Sequence, residues 1–192
     1  MKQQQLLTML ELQNDMNTKV HAEWQTQNFE WYRAIWVECA ELLDHWGWKW
    51  WKKQNPDIDQ IALELVDIWH FALSDIIIGF TGDIQKSANT IAEQLASNRS
   101  QVTFDGKDYL FTEQDILDNL ELMTGLCAAK RFDVPLFLTI VEQAEMDSDE
   151  LYRQYVGKNV LNFFRQAHCY KNGQYNKTVT DNNLTLPTIL RL

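Results

Sequence analysis

Two short segments constrain this chain more than any other. Glu38-Cys39-Ala40-Glu41 and Glu64-Leu65-Val66-Asp67 each set two carboxylates three residues apart inside apolar, aromatic surroundings. On a helix, residues three apart share a face. At about 100° per residue, Ile61, Ala62, Leu65, Val66, Trp69, Ala72, Leu73, Ile76 and Ile77 fill a wide apolar arc. Glu64 and Asp67 lie outside it, in a sector that also holds Phe71 and Ile78. A solvated face would carry Lys or Arg, and none occurs from Ile61 to Gln85. Glu38, Glu41 and His45 likewise share a sector with Ala34, bordered by Trp31 and Leu42. Two such helices side by side aim four carboxylates into one space. Desolvation and mutual repulsion make that costly without cations. Oxygen-only donors suit a hard cation such as Mg²⁺, which retains water and takes up phosphate oxygens. The pattern therefore points to a divalent-cation site acting on a phosphate ester. His45 and His70 stand about one turn from each pair. As ligands they would favour a transition metal; as core histidines or outer hydrogen-bond donors they would not.

The remaining chain fits an all-α domain spanning residues 1–192. Its 192 residues suffice for one real core, and 7 Gly and 3 Pro disfavour a loop-rich β architecture. The periodicity predicts helices over 3–23, 29–46 with Asn28 as cap, and from Pro56-Asp57 to about 78. Four more follow: 83–97, one from Thr112 to about Lys130, one from Asp133-Val134-Pro135 to about Glu145, and one from Asp147 or Ser148 to about His168. Between them, Asp105-Gly106 flanked by Val102, Phe104, Tyr109 and Phe111 reads as a hairpin or an irregular loop. The tail from Tyr170 is polar and turn-rich.

A net charge of −10 without a long basic run argues against nucleic acid as a partner. No run approaches about 18 apolar residues, so no membrane span is expected. Met1–Gln13 lacks a signal-peptide core. Cys39, Cys127 and Cys169 have neither disulfide-framework nor zinc spacing, which suits a reducing, cytoplasmic setting.

Against this acidic background, Lys158, Asn162 and Arg165 form a stripe at i, i+4 and i+7, opposite Val156, Val160, Phe163 and Phe164. Tyr155 and Lys171 flank it. Such a stripe suits phosphate binding. Gln13 and Asn17 sit four apart on one face and offer paired hydrogen-bond donors and acceptors. The Trp46-to-Trp51 segment carries four tryptophans, of which one could stack on a base.

Three stretches resemble the dimeric, all-α dUTP pyrophosphatases, within the wider all-α nucleoside triphosphate pyrophosphohydrolases. They are Glu38-Cys39-Ala40-Glu41-Leu42-Leu43, Lys49-Trp50-Trp51-Lys52 and Glu64 through Phe71. Tyr155 through Gln166 looks like the family's second signature, and Gln13 through Asn17 like its N-terminal one. The resemblance implies cleavage of dUTP, and of dUDP, by a homodimer. It implies Mg²⁺ held by Glu38, Glu41, Glu64 and Asp67, as two or more ions with Mn²⁺ as a substitute. Water would attack the α-phosphorus, with Glu41, or after it Glu38, as the base. Nucleoside contacts are implied from Gln13, Asn17, Trp50, Trp51 and His70, and phosphate contacts from the C-terminal helix and the segment beyond. That segment, His168-Cys169-Tyr170-Lys171 onward, departs from the family: it lacks a Gly before Tyr-Lys and a later Trp.

Three rival readings remain at this point. One is a dCTP-directed or broader pyrophosphohydrolase of the same fold, because an amide can turn to serve either pyrimidine. The second is a carboxylate-bridged di-iron bundle, which wants Glu-x-x-His motifs; Asp67-x-x-His70 comes near. The third is a helical interaction module without chemistry.

Overall fold

A computed structural model describes residues 1–167 of the chain. Seven helices form it: α1 (Gln3–Val20), α2 (Trp31–Trp46), α3 (Ile58–Gly79), α4 (Ile84–Ala96), α5 (Ile116–Ala128), α6 (Val134–Gln143) and α7 (Ser148–Ala167). Strands β1 (Gln101–Phe104) and β2 (Lys107–Leu110) pair antiparallel between α4 and α5, so the all-α expectation holds with one small hairpin. The hairpin's turn has Asp105 at φ +48° and Gly106 at φ +74°, the left-handed pair that a two-residue turn needs.

Aspartates start five of the helices. Asp57, Asp83, Asp115, Asp133 and Asp147 each accept a hydrogen bond from the backbone N–H three residues on. Each satisfies an amide that the helix itself leaves unpaired. Two expected starts shift. Asn28 has φ +54°, incompatible with the extended backbone of a capping residue, and α2 begins at Trp31. Thr112 falls inside a 3-10 turn, Phe111–Glu113, and α5 begins after Asp115. α1 also stops early, at Val20, followed by a 3-10 turn at Trp24–Thr26.

The helices α2 and α3 make the most extensive pairing in the fold. They run antiparallel: His45 meets Glu64 at one end and the Trp31 ring meets Phe71 at the other. Gly47 closes α2 at φ +92°, and a Cβ there would come within 2.7 Å of Gln54 Cβ. The loop from 47 to 57 can therefore fold tightly back on the helix end. α1 and α7 pack against α3 on one side, and α5 packs against α2 on the other. The core between them includes Trp69 stacked on Phe137, ring centroids 5.1 Å apart. Gly125 on α5 lets the hairpin in: a Cβ there would lie 2.9 Å from the Phe104 ring.

Candidate active site

The antiparallel pairing of α2 and α3 brings the two carboxylate segments together. Ligand oxygens of Glu38, Glu41 and Glu64 all lie within 4.8 Å of one another. Glu64 is buried, Glu38 half-buried, and Glu41 stands at the open edge. Burial, then the Asp67, Glu41 and Glu64 charges, push the Glu38 carboxyl up to about 8. Burial and Asp67 also push Glu64 upward. Ionising Glu38 and Glu64 is therefore costly without added positive charge. The donors are oxygens only, since neither His45 nor His70 joins the cluster. His45 Nε2 is 3.7 Å from Glu64 Oε1, too far for a hydrogen bond. An oxygen-only set with excess charge fits a hard divalent cation and argues against the di-iron reading.

Asp67, the fourth expected ligand, stands apart. Its Oδ2 accepts a hydrogen bond from Lys158 Nζ at 2.9 Å. Lys158 thus reaches from α7 across to α3 and neutralises one of the four carboxylates. Farther along α7, Asn162 and Arg165 face the same side and line a cavity of about 320 Å³. Asp67 lines it too, and because its charge acts on Glu38 and Glu64 the cavity adjoins the carboxylate cluster. Gln13, Asn17 and His70 form its polar surface, with Trp24, Phe29, Trp31 and Phe71 as aromatic walls.

Three expected contacts fall elsewhere. Tyr155 is 0% exposed and is corrected from a phosphate contact to a core group. Its hydroxyl reaches Met9 O and Gln13 Oε1, and its ring stacks on His70 with centroids 4.1 Å apart. Trp50 and Trp51, expected at the nucleoside, are 90% and 57% exposed and do not line the cavity. They follow the C-terminal end of α2, whereas the cavity adjoins its start; sixteen helical residues separate the two by about 24 Å. Lys171 lies outside the described residues. The aromatic walls were not singled out from sequence, although Phe71 shares the sector of Glu64 and Asp67, and Trp31 borders that of Glu38 and Glu41. That shared sector was the available signal.

An acidic helix pair, a basic helix opposite it and an amide-lined cavity between them define a helical hydrolase of phosphorylated compounds. The chain matches the dUTPase family over residues 5–170 and belongs to that family. With the family come dUTP hydrolysis as the general activity and dependence on a divalent metal, for which the Glu38, Glu41 and Glu64 cluster is the acidic group in view. A comparison with curated proteins returned no match. No helix among the described residues is long and apolar enough to cross a membrane.

Proposed function

We propose that this chain hydrolyses dUTP to dUMP and pyrophosphate, using Mg²⁺ held by Glu38, Glu41, Glu64 and Asp67. The observation that carries the reading is the carboxylate cluster beside Asp67, whose charge acts on Glu38 and Glu64 and which itself lines a cavity of nucleoside size. The bound cation supplies positive charge to the phosphate oxygens and lowers the pKa of water. The chain's own residues supply the rest. Glu41, at the open edge, accepts the proton of the water that attacks the α-phosphorus. Asn162 and Arg165 hold the phosphates from α7. Lys158 exchanges the Asp67 carboxylate for a phosphate oxygen when cation and nucleotide arrive, so its charge is used in both states. Gln13, Asn17 and His70 contact the base, while Trp31 and Phe71 exclude water from it. The working unit is a cytoplasmic homodimer; Trp36 and Val37 on the outer face of α2 are apolar residues left exposed in the single chain.

Pyrophosphate release from dUTP, dCTP, dTTP and UTP, with and without Mg²⁺, tests the reading. Mg²⁺-dependent release favouring dUTP is expected. Equal release from dCTP would replace it with the broader pyrophosphohydrolase.

A further inference from the structure

One wall of the cavity is a segment with little regular structure. Val20, His21, Trp24 and Phe29 line the cavity from the end of α1 and the stretch that joins it to α2. That stretch holds one 3-10 turn, Trp24–Thr26, and has Asn28 at φ +54°. Its backbone bonds are local. Trp24 N–H donates to His21 O at 3.0 Å, Thr26 N–H to Glu23 O at 3.1 Å and Gln27 N–H to Trp24 O at 3.3 Å. The Thr26 hydroxyl and the Gln27 amide also return to Glu23 O. A segment held by local bonds alone opens readily.

Gln25 reaches out of it. Its Nε2 donates to Asn14 Oδ1 on α1 at 3.0 Å, the one side-chain hydrogen bond found between residues 22–29 and a helix among the described residues. The same amide lies against Gly82, in the turn between α3 and α4. A Cβ on Gly82 would fall 2.6 Å from Gln25 Oε1 and 2.9 Å from Nε2, so a residue with a Cβ would push the amide away. Gly82 is itself fixed: at φ +87° it donates its N–H to Ile77 O at 2.9 Å, and Asp83 beside it caps α4. Gln25 is thus held between α1 and the end of α3, the two helices that carry Gln13, Asn17, His70 and Phe71 to the cavity. Gln25 and Asn14 are half-buried and do not line the cavity themselves.

We propose that Gln25 is a positioning residue: clamped between Asn14 and Gly82, it holds the Trp24-to-Phe29 wall in place before substrate arrives. The proposal rests on the nucleotide occupying this cavity. A wall already held costs less ordering when a ligand binds. That gain is the same for substrate and transition state, so the clamp acts on KM and leaves kcat unchanged. A purely structural tie would lower stability and leave KM alone.

Gln25→Met keeps the stem and removes the amide, and Asn14→Leu removes its acceptor. Each should raise KM for dUTP about fivefold, with kcat within about twofold of wild type. The two together should do no more than either alone, since both break one contact. Asn14→Asp keeps an acceptor for Gln25 Nε2 and should retain the wild-type KM. Amide hydrogen exchange over residues 24–29 of the nucleotide-free protein needs no turnover. It should be faster in Gln25→Met and Asn14→Leu and unchanged in Asn14→Asp. A wild-type KM in the folded variants, additive effects or unchanged exchange overturns the proposal. If Gln25→Met fails to fold, Asn14→Leu decides. Absence of pyrophosphate release from dUTP by the wild type would refute the catalytic reading; exchange and dUMP affinity by calorimetry then decide the clamp.

Discussion

The carboxylate cluster and the cavity beside it share α3, with Asp67 at the boundary, yet they are built on opposite electrostatic terms. In the cluster, Glu38, Glu41 and Glu64 crowd like charges together, and the single Lys158 charge pairs with Asp67 and only partly offsets Glu64. The surplus is a demand that a cation meets. In the cavity, Gln13, Asn17, Ser74, Tyr155 and His70 satisfy one another in a neutral chain. One region carries charge in excess; the other is largely satisfied within itself among the described residues. Pre-organisation of this kind favours specificity, whereas uncompensated charge favours metal affinity at the expense of metal-free stability.

The largest effect should come from removing the base on the charged side. Glu41→Gln is expected to lower kcat for dUTP by about 10³-fold with helix content unchanged by circular dichroism. Turnover close to wild type would take Glu41 out of that role. Next comes the bridging cation. Lys158→Met deletes the partner of Asp67 and, on the proposed reading, a phosphate contact with it. It should lower kcat by about 10²-fold while tightening Mg²⁺ binding by the nucleotide-free protein in calorimetry. Weaker Mg²⁺ binding would mean that Lys158 does not compete for Asp67.

The pH dependence should separate the two regions further. Glu38 binds its proton more strongly folded, near 8, than unfolded, near 4.5. Between those values the native state holds more protons than the unfolded chain, so this group makes stability fall as pH rises. On the proposed reading, Mg²⁺ held by Glu38 would displace that proton. Its increment to the melting temperature should therefore be larger at pH 8 than at pH 6. An increment that shrinks over that range contradicts the charge-surplus account. The smallest effect belongs to the scaffold outside both regions. Asp115→Ala, which removes the α5 cap, should cost about 1 kcal/mol in denaturant unfolding without changing KM for dUTP.

Much of the charged region was legible in the sequence, because helical periodicity and a missing lysine partner are local signals. Glu38, Glu41 and Glu64 needed only the projection of two helices. The helix starts at Asp57, Asp83, Asp133 and Asp147 were legible for the same reason: a cap acts within one turn. The neutral region was less so. Tyr155 reads as one more group beside a basic stripe, and only the packing of α7 on α1 and α3 shows its hydroxyl over Gln13. α7 illustrates the difficulty. Its polar stripe faces inward, while Val160 on the expected core side is 49% exposed. Amphipathicity assigns the inside by polarity, and an active site inverts that rule. Asn28 misled for a different reason, since a good capping residue also tolerates positive φ.

Hydrolysis of dUTP in ¹⁸O-water with Mg²⁺ tests the central claim most directly, through mass spectrometry of the products. With the attacking water at the carboxylate cluster and the α-phosphorus beside it, the label should enter dUMP, only when Mg²⁺ is present, and not with Glu41→Gln. Label in pyrophosphate, or incorporation that survives removal of the cation, would contradict it.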